Sequence, residues 1–360
     1  MVSQSDGEKP PTLGDLAKAA GVSKGTASNV FNRPKLVREE VRVRVLETAR
    51  GIGYRGPDPM GRMLSAGRAN AIGVATMEPL AYLFEDPFAR RLMAAIAQDC
   101  QAEGVGLSLV SAAGEDDLAW SMESALVDGF ILFCLTGAKR LIQRSRERRL
   151  PFVALDLGGD DETLSVVGID NVEGARRAAR HLVDLGHRRF VILAMETTSN
   201  RFGQREEGEA VEYHASRNRL AGYREVLAEA GIDPSTVPVF ETLSDDPTVH
   251  AAMEALFSAD ARPTAILAQS DRIALIALAW LKARGICVPG EVSLVGFDDV
   301  PEASLSDPAL TTISQPIEEI GRRAVRLLMK ISRTPHAAPR RECLDTRLVV
   351  RGSSGPASAG

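Results

Sequence analysis

Two sets of residues could do chemistry by their type and spacing. One lies in TLGDLAKAAGVSKGTASNVFN, residues 12–32. With a helix opening after Ser23, one face carries Ala27, Val30 and Phe31, and the other carries Lys24, Gly25, Thr26, Ser28 and Asn29. The outward set suits a major groove, where Asn bonds adenine through a paired donor and acceptor and Lys reaches guanine or phosphate. The second set stands at the ends of apolar runs: Asp156 after FVAL, Asp271 after AILAQS, and Arg217 and Arg219 after a long charged segment. Carboxylates accept hydrogen bonds from hydroxyls, and arginine donates through a rigid planar fork. The same residues could instead serve as salt bridges or helix caps, and Asp271 reads as an N-cap either way.

Other patterns fail their context. GIGYRG, residues 51–56, has the G-x-G-x-x-G spacing but follows a helix rather than a strand, so a dinucleotide site is excluded. H-E-x-x-H and G-x-S-x-G are absent. His181 and His187 are six residues apart and would not share a helix face. Cys100, Cys134, Cys287 and Cys343 form no C-x-x-C, which argues against a disulfide framework or zinc site and fits a reducing cytoplasm. No catalytic set, metal or cofactor is expected. The basic run Arg144–Arg149 reads as a solvated helix face.

The elements that must position these residues follow from hydrophobic periodicity. Leu13, Leu16, Ala17 and Ala20 share a helix face, with Thr12 as N-cap and Asp15 three residues on. Gly21 can take the positive φ of a tight turn. Small or branched residues at Ala17, Val22, Ala27 and Val30 let two helices cross closely. A third segment, from Arg38 to Ile52, puts Val41, Val45, Leu46 and Ala49 on one stripe. This is a helix-turn-helix, and the Gly- and Pro-rich stretch 54–68 behind it reads as a linker. From Ala71, apolar runs at 71–75, 106–110, 129–133, 152–155, 166–169, 189–194, 265–268 and 292–297 predict strands. Amphipathic segments at 89–103, 117–127, 138–149, 172–185, 216–230, 248–258, 272–284 and 316–331 predict helices. Such alternation implies parallel sheets covered on both faces, and its length implies two lobes. The charged stretch 196–216 is either a lid or a solvated loop, with the loop favoured.

The chain has 360 residues, 44% of them hydrophobic, and a net charge of −5, so global disorder is excluded. No apolar run reaches the ~18 residues of a membrane span, and the first residues lack the pattern of a secretory signal. The net charge disfavours nucleic acid only as a whole-chain figure. Residues 1–68 hold twelve basic and seven acidic side chains, net +5; the rest hold 31 and 41, net −10. A basic end on an acidic body hints at DNA contact by one module.

These residues carry a family resemblance. L-x-D-L-A-x-x-A-G-V-S-x-x-T-A-S-N-V-F-N resembles the headpiece of the LacI/GalR bacterial transcription regulators. Ordered matches continue at Val37–Tyr54, at Pro57–Leu64 (a hinge motif), at Asp86–Phe88, at Gly168–Asn171 and at HLVDLGHRR, 181–189. They continue further at Arg219–Tyr223, VGFDD at 295–299 and LTTISQPI at 310–317. The resemblance implies a small all-α helix-turn-helix headpiece followed by two α/β doubly wound parallel-sheet lobes, of the periplasmic binding protein-like type I. It implies a cytoplasmic, ligand-responsive regulator, a repressor that binds a near-palindromic operator in double-stranded DNA as a homodimer. A small sugar-like, polyhydroxy effector would bind between the lobes, and no membrane would be involved. A solute-binding protein with the same lobes would lack the headpiece, and an enzyme would need a catalytic set.

On this resemblance the DNA contacts fall to Thr12, Ser23, Lys24, Gly25, Thr26, Ser28, Asn29, Asn32, Lys35, Arg62 and Leu64. Leu64 would wedge a minor-groove base step from a hinge helix. Gly56, Asp58 and Gly61 depart from the family's hinge, and Gly costs about 1 kcal/mol relative to Ala in a helix, so this hinge is expected to be unfolded without DNA. The effector contacts fall to Phe88, Asp156, Arg217, Arg219, Ser270, Asp271 and Phe297, with Tyr82 and Phe84 as further aromatic platforms. The expected division is a tail over 1–11, a headpiece over 12–56 and a hinge over 57–68. One lobe would take 69–169 and 315–340, the other 170–314 and 341–352, leaving a flexible tail at 353–360.

Overall fold

The computed structural model describes residues 10–57, 67–111, 114–133, 142–143, 147, 150–155, 161–198, 201–206, 208–258, 262–334 and 338–358. The chain forms two units, Met1–Ala69 and Asn70–Gly360. Residues 58–66 of the expected hinge at 57–68, with Arg62 and Leu64, lie outside the described residues. So do Asp156, Cys134 and most of the expected helix at 138–149 with its basic run.

The first unit holds α1 (Leu13–Ala19), α2 (Lys24–Asn32) and α3 (Glu39–Gly51). Thr12 and Asp15 cap α1 reciprocally: Asp15 N–H donates to Thr12 Oγ1 at 3.3 Å, and Thr12 N–H donates to Asp15 Oδ2 at 2.9 Å. Gly21 sits at φ 64°, which lets the chain reverse before Ser23. Ser23 Oγ then caps α2 by accepting from Thr26 N–H at 3.0 Å. Leu16, Ala20, Val30, Val45 and Ala49 form the core, with Phe31 and Tyr54 edge-to-face at its margin. Small side chains at the crossing leave room for three short helices to share so few apolar residues.

The second unit begins with β1 (Ala71–Thr76), α4 (Tyr82–Glu85), α5 (Pro87–Glu103), β2 (Gly106–Ser111), α6 (Glu115–Ser124), β3 (Phe130–Leu132), β4 (Phe152–Leu155) and β5 (Val166–Ile169). It continues with α7 (Asn171–Asp184), β6 (Phe190–Ala194), β7 (Gly203–Gln204), α8 (His214–Glu229), β8 (Val239–Glu241), α9 (Asp246–Phe257), β9 (Ala265–Ala268) and α10 (Asp271–Ala283). β10 (Ser293–Asp298), α11 (Pro301–Leu305), β11 (Thr311–Ser314), α12 (Ile317–Arg333), β12 (Arg341–Leu344) and β13 (Arg347–Val349) complete it. One sheet has the order β12-β5-β4-β3-β1-β2 and is parallel throughout. The other has the order β13-β11-β10-β9-β6-β8-β7 and is parallel except at its two edge strands. Strands covered on both faces read as unbroken apolar runs, and all five residues of FVILA in β6 are buried.

The chain passes from the first sheet to the second between β5 and α7 and returns before α12, which packs on α5. Gly321 permits that packing, since a Cβ there would stand 2.8 Å from Ala95 Cβ. The last crossing corrects the expected boundary at 341. β12 still pairs with β5 in the first sheet, so the chain crosses between Leu344 and Arg347. RECL carries no apolar run; only pairing with β5 makes it a strand. The expected flexible tail is also corrected, because residues 353–358 are docked. Ser353 is fully buried; its Oγ accepts from Thr311 N–H at 2.8 Å and donates to Leu294 O at 2.6 Å. Ala357 N–H donates to Leu185 O at 2.8 Å. The Gly/Ser composition suggested mobility, but these groups complete backbone pairing that β10 and β11 leave open.

The described part of the stretch 196–216 is more than a solvated loop. Its centre, β7, pairs antiparallel with β8 at the sheet edge. Arg205, with a 4% exposed side chain, donates to the fully buried Glu241 carboxylate at 2.9 Å. Glu241 also accepts from the backbone N–H groups of Thr197 and Thr198. A buried carboxylate needs such a set of donors, which the sequence spreads over 45 residues.

Candidate functional site

The headpiece presents α2 as its exposed edge. Ala27 and Val30 are buried, Lys24 and Gly25 are exposed, and Thr26, Ser28 and Asn29 are half-buried. Among the described residues Lys24 and Asn29 make no side-chain bond, while Asn32 donates to Ser28 Oγ at 3.1 Å. Ser23 and Thr12 are occupied as caps yet remain exposed, as does Lys35 on the turn after α2. On a rigid helix with an apolar back, Lys24 and Asn29 can meet base edges without first losing internal bonds, whereas Thr26 and Ser28 carry local bonds to Ser23 and Asn32.

In the second unit, a cavity of about 210 Å³ lies where the carboxyl ends of the two sheets face each other. Many wall residues end or follow a strand. Glu78 follows β1, Phe133 β3, Gly168 and Ile169 close β5, and Met195 and Glu196 follow β6. Leu243 follows β8, Ser270 follows β9, Asp298 ends β10 and Gln315 follows β11. This is the crevice position at which open α/β sheets bind ligands. Tyr82, Phe88 and Phe133 form an aromatic wall, with Tyr82 stacked on Phe133 at 6.5 Å and Phe88 at 6.2 Å from it.

Arg219 is held from several sides. Its Nε donates to Asn171 Oδ1 at 2.8 Å, and a terminal nitrogen donates to Gln269 O. Its guanidinium lies 3.7 Å over the Phe297 ring and 3.6 Å from the Asp298 carboxylate. Gln269 in turn accepts from Ser216 Oγ at 2.8 Å and donates to Ser216 O at 3.0 Å, tying β9 to α8. Asp298 has φ 129°, a conformation sparsely used by non-glycine residues. Burial pushes its carboxyl well up, with Arg219 pulling it back. Burial likewise raises the Glu78 carboxyl to about 7, helped by the nearby Glu196 and Asp86 carboxylates. His214 Nε2 lies 3.2 Å from the Asn218 amide nitrogen, and among the described residues its buried Nδ1 has no partner.

Of the expected effector contacts, Phe88, Arg219 and Ser270 line the cavity and Asp156 lies outside the described residues. Three others do not line it. Arg217 is exposed; two residues from Arg219, it projects from nearly the opposite side of α8. Asp271 is fully buried behind the wall, accepting from Val300 N–H at 2.9 Å and Thr312 Oγ1 at 2.5 Å. Ser270, not Asp271, caps α10, accepting from Ile273 N–H at 3.2 Å. Phe297 is fully buried and supports Arg219 from behind. Phe84 is 60% exposed and off the cavity. The sequence reading missed Glu78, Glu196, Asp298, Tyr213, His214 and Gln315 as wall residues. Glu196 and Asp298 stand within two residues of an expected strand's end, the one available signal.

A helical DNA-reading headpiece joined to a two-lobed body with a ligand crevice defines a class, the effector-binding transcription regulators. Two family models match the chain: bacterial regulatory proteins of the lacI family over residues 12–56, and a periplasmic binding protein-like domain over 179–354. An HTH-type transcriptional regulator of Mycobacterium tuberculosis is 38% identical over 352 residues, 96% of this chain and 97% of its own. The structure of a transcriptional regulator CelR–cellobiose complex is 30% identical with a TM-score of 0.69, covering 95% of this chain and 99% of that one. The lac repressor dimer bound to operator and the anti-inducer ONPF is 25% identical with a TM-score of 0.79, covering 96% and 100%. The chain belongs to the LacI family of DNA-binding transcriptional regulators, a non-enzymatic family. No helix among the described residues is long and apolar enough to cross a membrane.

Proposed function

We propose that this regulator is a cytoplasmic repressor that binds a near-palindromic operator as a homodimer and answers to a small polyhydroxy, sugar-like effector held between its lobes. The observation that carries the effector half is the crevice itself, with Arg219 fixed on four sides at its floor and an aromatic wall opposite. Phe88, Arg219 and Ser270 touch the effector, and Asp156 belongs to the proposed set by resemblance. Asp271 and Phe297 act through the residues they support. On the DNA side, Lys24, Gly25, Thr26, Ser28 and Asn29 face base edges, while Thr12, Ser23, Asn32 and Lys35 meet the backbone. Arg62 and Leu64 are assigned to the minor groove. An effector shifts operator affinity only if it binds one lobe arrangement better, and a 100-fold switch needs about 2.7 kcal/mol of coupling.

Fluorescence anisotropy with operator and scrambled duplexes tests the DNA half. Operator affinity should fall steeply with added salt. Asn29→Ala should lose about 1–3 kcal/mol of base discrimination, whereas Lys35→Ala should weaken both duplexes alike. Unchanged preference in Asn29→Ala would refute the groove assignment.

A further inference from the structure

The two lobes share no strand, and three crossovers join them: between β5 and α7, between β11 and α12, and between β12 and β13. Linkers of one or two residues leave the angle between the lobes free to change, so contacts made across the gap help to decide it. The first turns of α5, in the first lobe, make such contacts with three parts of the second. Asp86, the N-cap of α5, lies 3.7 Å from Arg272 in the first turn of α10. One turn on, Arg90 Nη2 donates to Glu302 Oε1 of α11 at 2.5 Å. Beside it, Arg91 Nη1 donates to Asp299 O, in the turn after β10, at 2.9 Å. Both ends of that last bond are held. Glu318 of α12 accepts from Arg91 Nε at 3.0 Å, and the Asp299 carboxylate accepts from Arg351 Nη2 at 2.6 Å. Between Asp86 and Arg90, Phe88 packs against an apolar cluster of the second lobe.

We infer that these first turns of α5 are a latch: Asp86, Arg90 and Arg91 hold the second lobe at the angle seen, and so set operator affinity before any effector binds. This rests on the reading above that lobe arrangement governs operator affinity. Each of the three contacts joins one lobe to the other, so each is stretched or lost when the lobes turn about the crossovers. The bond from Arg91 to Glu318 lies inside the first lobe and survives, which keeps Arg91 aimed for re-engagement. An equilibrium between two arrangements moves by whatever contacts one has and the other lacks. The Arg90–Glu302 pair is half-exposed, and such a pair moves an equilibrium constant by up to about fivefold. The charged bond from Arg91 to a backbone carbonyl is worth about tenfold or more. A latch of this strength biases the lobes yet yields to a ligand with a modest preference for another angle, as a switch requires.

The test uses the full chain and an operator duplex that the parent protein selects from a random-sequence pool, with fluorescence anisotropy as the readout. Arg90→Glu makes the protein more repellent to any DNA and Glu302→Arg more attractive, so general charge moves the two in opposite directions. Dividing each operator Kd by the same protein's Kd for a scrambled duplex removes that effect. Loss of the latch should move this ratio in the same direction in both single variants, by about threefold or more. The Arg90→Glu/Glu302→Arg double variant, which restores the pair with its charges exchanged, should return to within about twofold of the parent. Arg91→Ala should move the ratio in that same direction by about tenfold. Urea unfolding reads the pairing itself: each single reversal should lower the midpoint and the exchange should recover it. Single variants that move the ratio in opposite directions, or an exchange that recovers neither ratio nor midpoint, overturn the latch. A changed sedimentation coefficient in the single variants would place the pair at a subunit contact and overturn it as well. Midpoints that fall and recover while the ratio stays fixed count against the reading that lobe arrangement governs DNA binding, and the latch falls with it.

Discussion

Arg219→Ala removes the group on which the crevice floor is assembled. Hydrogen bonds to a charged group contribute about 1.5–3 kcal/mol each, and a desolvated cation–π contact about 2. Breaking one side of a buried ion pair costs about 3–5 kcal/mol. Asp298 keeps its bond from Gln315 Nε2 at 2.6 Å and can take up a proton, which puts the loss near the lower end, about 3 kcal/mol at pH 8. The pH dependence carries the diagnosis. Burial holds the Asp298 carboxyl above its unfolded value, and Arg219 pulls it down. A carboxyl raised in the fold costs stability once ionised, and removing Arg219 raises it further. The deficit of Arg219→Ala should therefore be smaller at pH 5.5 than at pH 8. Urea unfolding of both proteins at the two pH values measures it. An equal deficit at both, or none at either, would show that Arg219 and Asp298 are not coupled as described.

Arg205→Ala removes the nearest cation from the buried Glu241, which keeps its Thr197 and Thr198 donors and Arg201 at 3.8 Å, and should destabilise by about 3 kcal/mol, with earlier proteolysis in 196–213 than elsewhere as the local readout. Gly222→Ala places a Cβ 2.3 Å from Val172 O and 2.9 Å from Ala175 Cβ, so α7 and α8 must separate. A loss of about 3 kcal/mol is expected by denaturant titration, and a variant as stable as the parent would refute the close crossing. Glu78→Gln removes a carboxyl whose ionisation is disfavoured in the fold. Its folded value near 7 lies above its unfolded one, so the parent loses stability as pH rises from about 4.5 through 7. The variant should gain about 2 kcal/mol on the parent at pH 8 and nothing at pH 4.5, read as the difference in urea midpoints.

The headpiece was legible because its signals are local. Thr12 with Asp15, Gly21, and Ser23 with Thr26 each act within three residues, and the core spacing is that of a helix. The central strands were legible because burial on both faces makes them continuously apolar, as in FVILA and AILA. The edge strands were not. RECL, RLV and GQ carry no periodic signal and become strands only because a distant partner leaves backbone groups unpaired.

Sequence alone determined the helix-turn-helix, the alternation of strands and helices, and the basic end on an acidic body; the family resemblance also led to Arg219, Phe88 and Ser270, which line one cavity. Tertiary structure decided which side of each residue faces the crevice. Asp271 and Asp298 are both carboxylates at strand ends, yet the first is turned behind the wall by Val300 and Thr312 while the second reaches the cavity from a strained backbone. It also decided that Ser353, in a segment of glycines and serines, is fully buried. Those outcomes depend on hydrogen-bond partners dozens of residues away, and no local pattern records where such partners will stand.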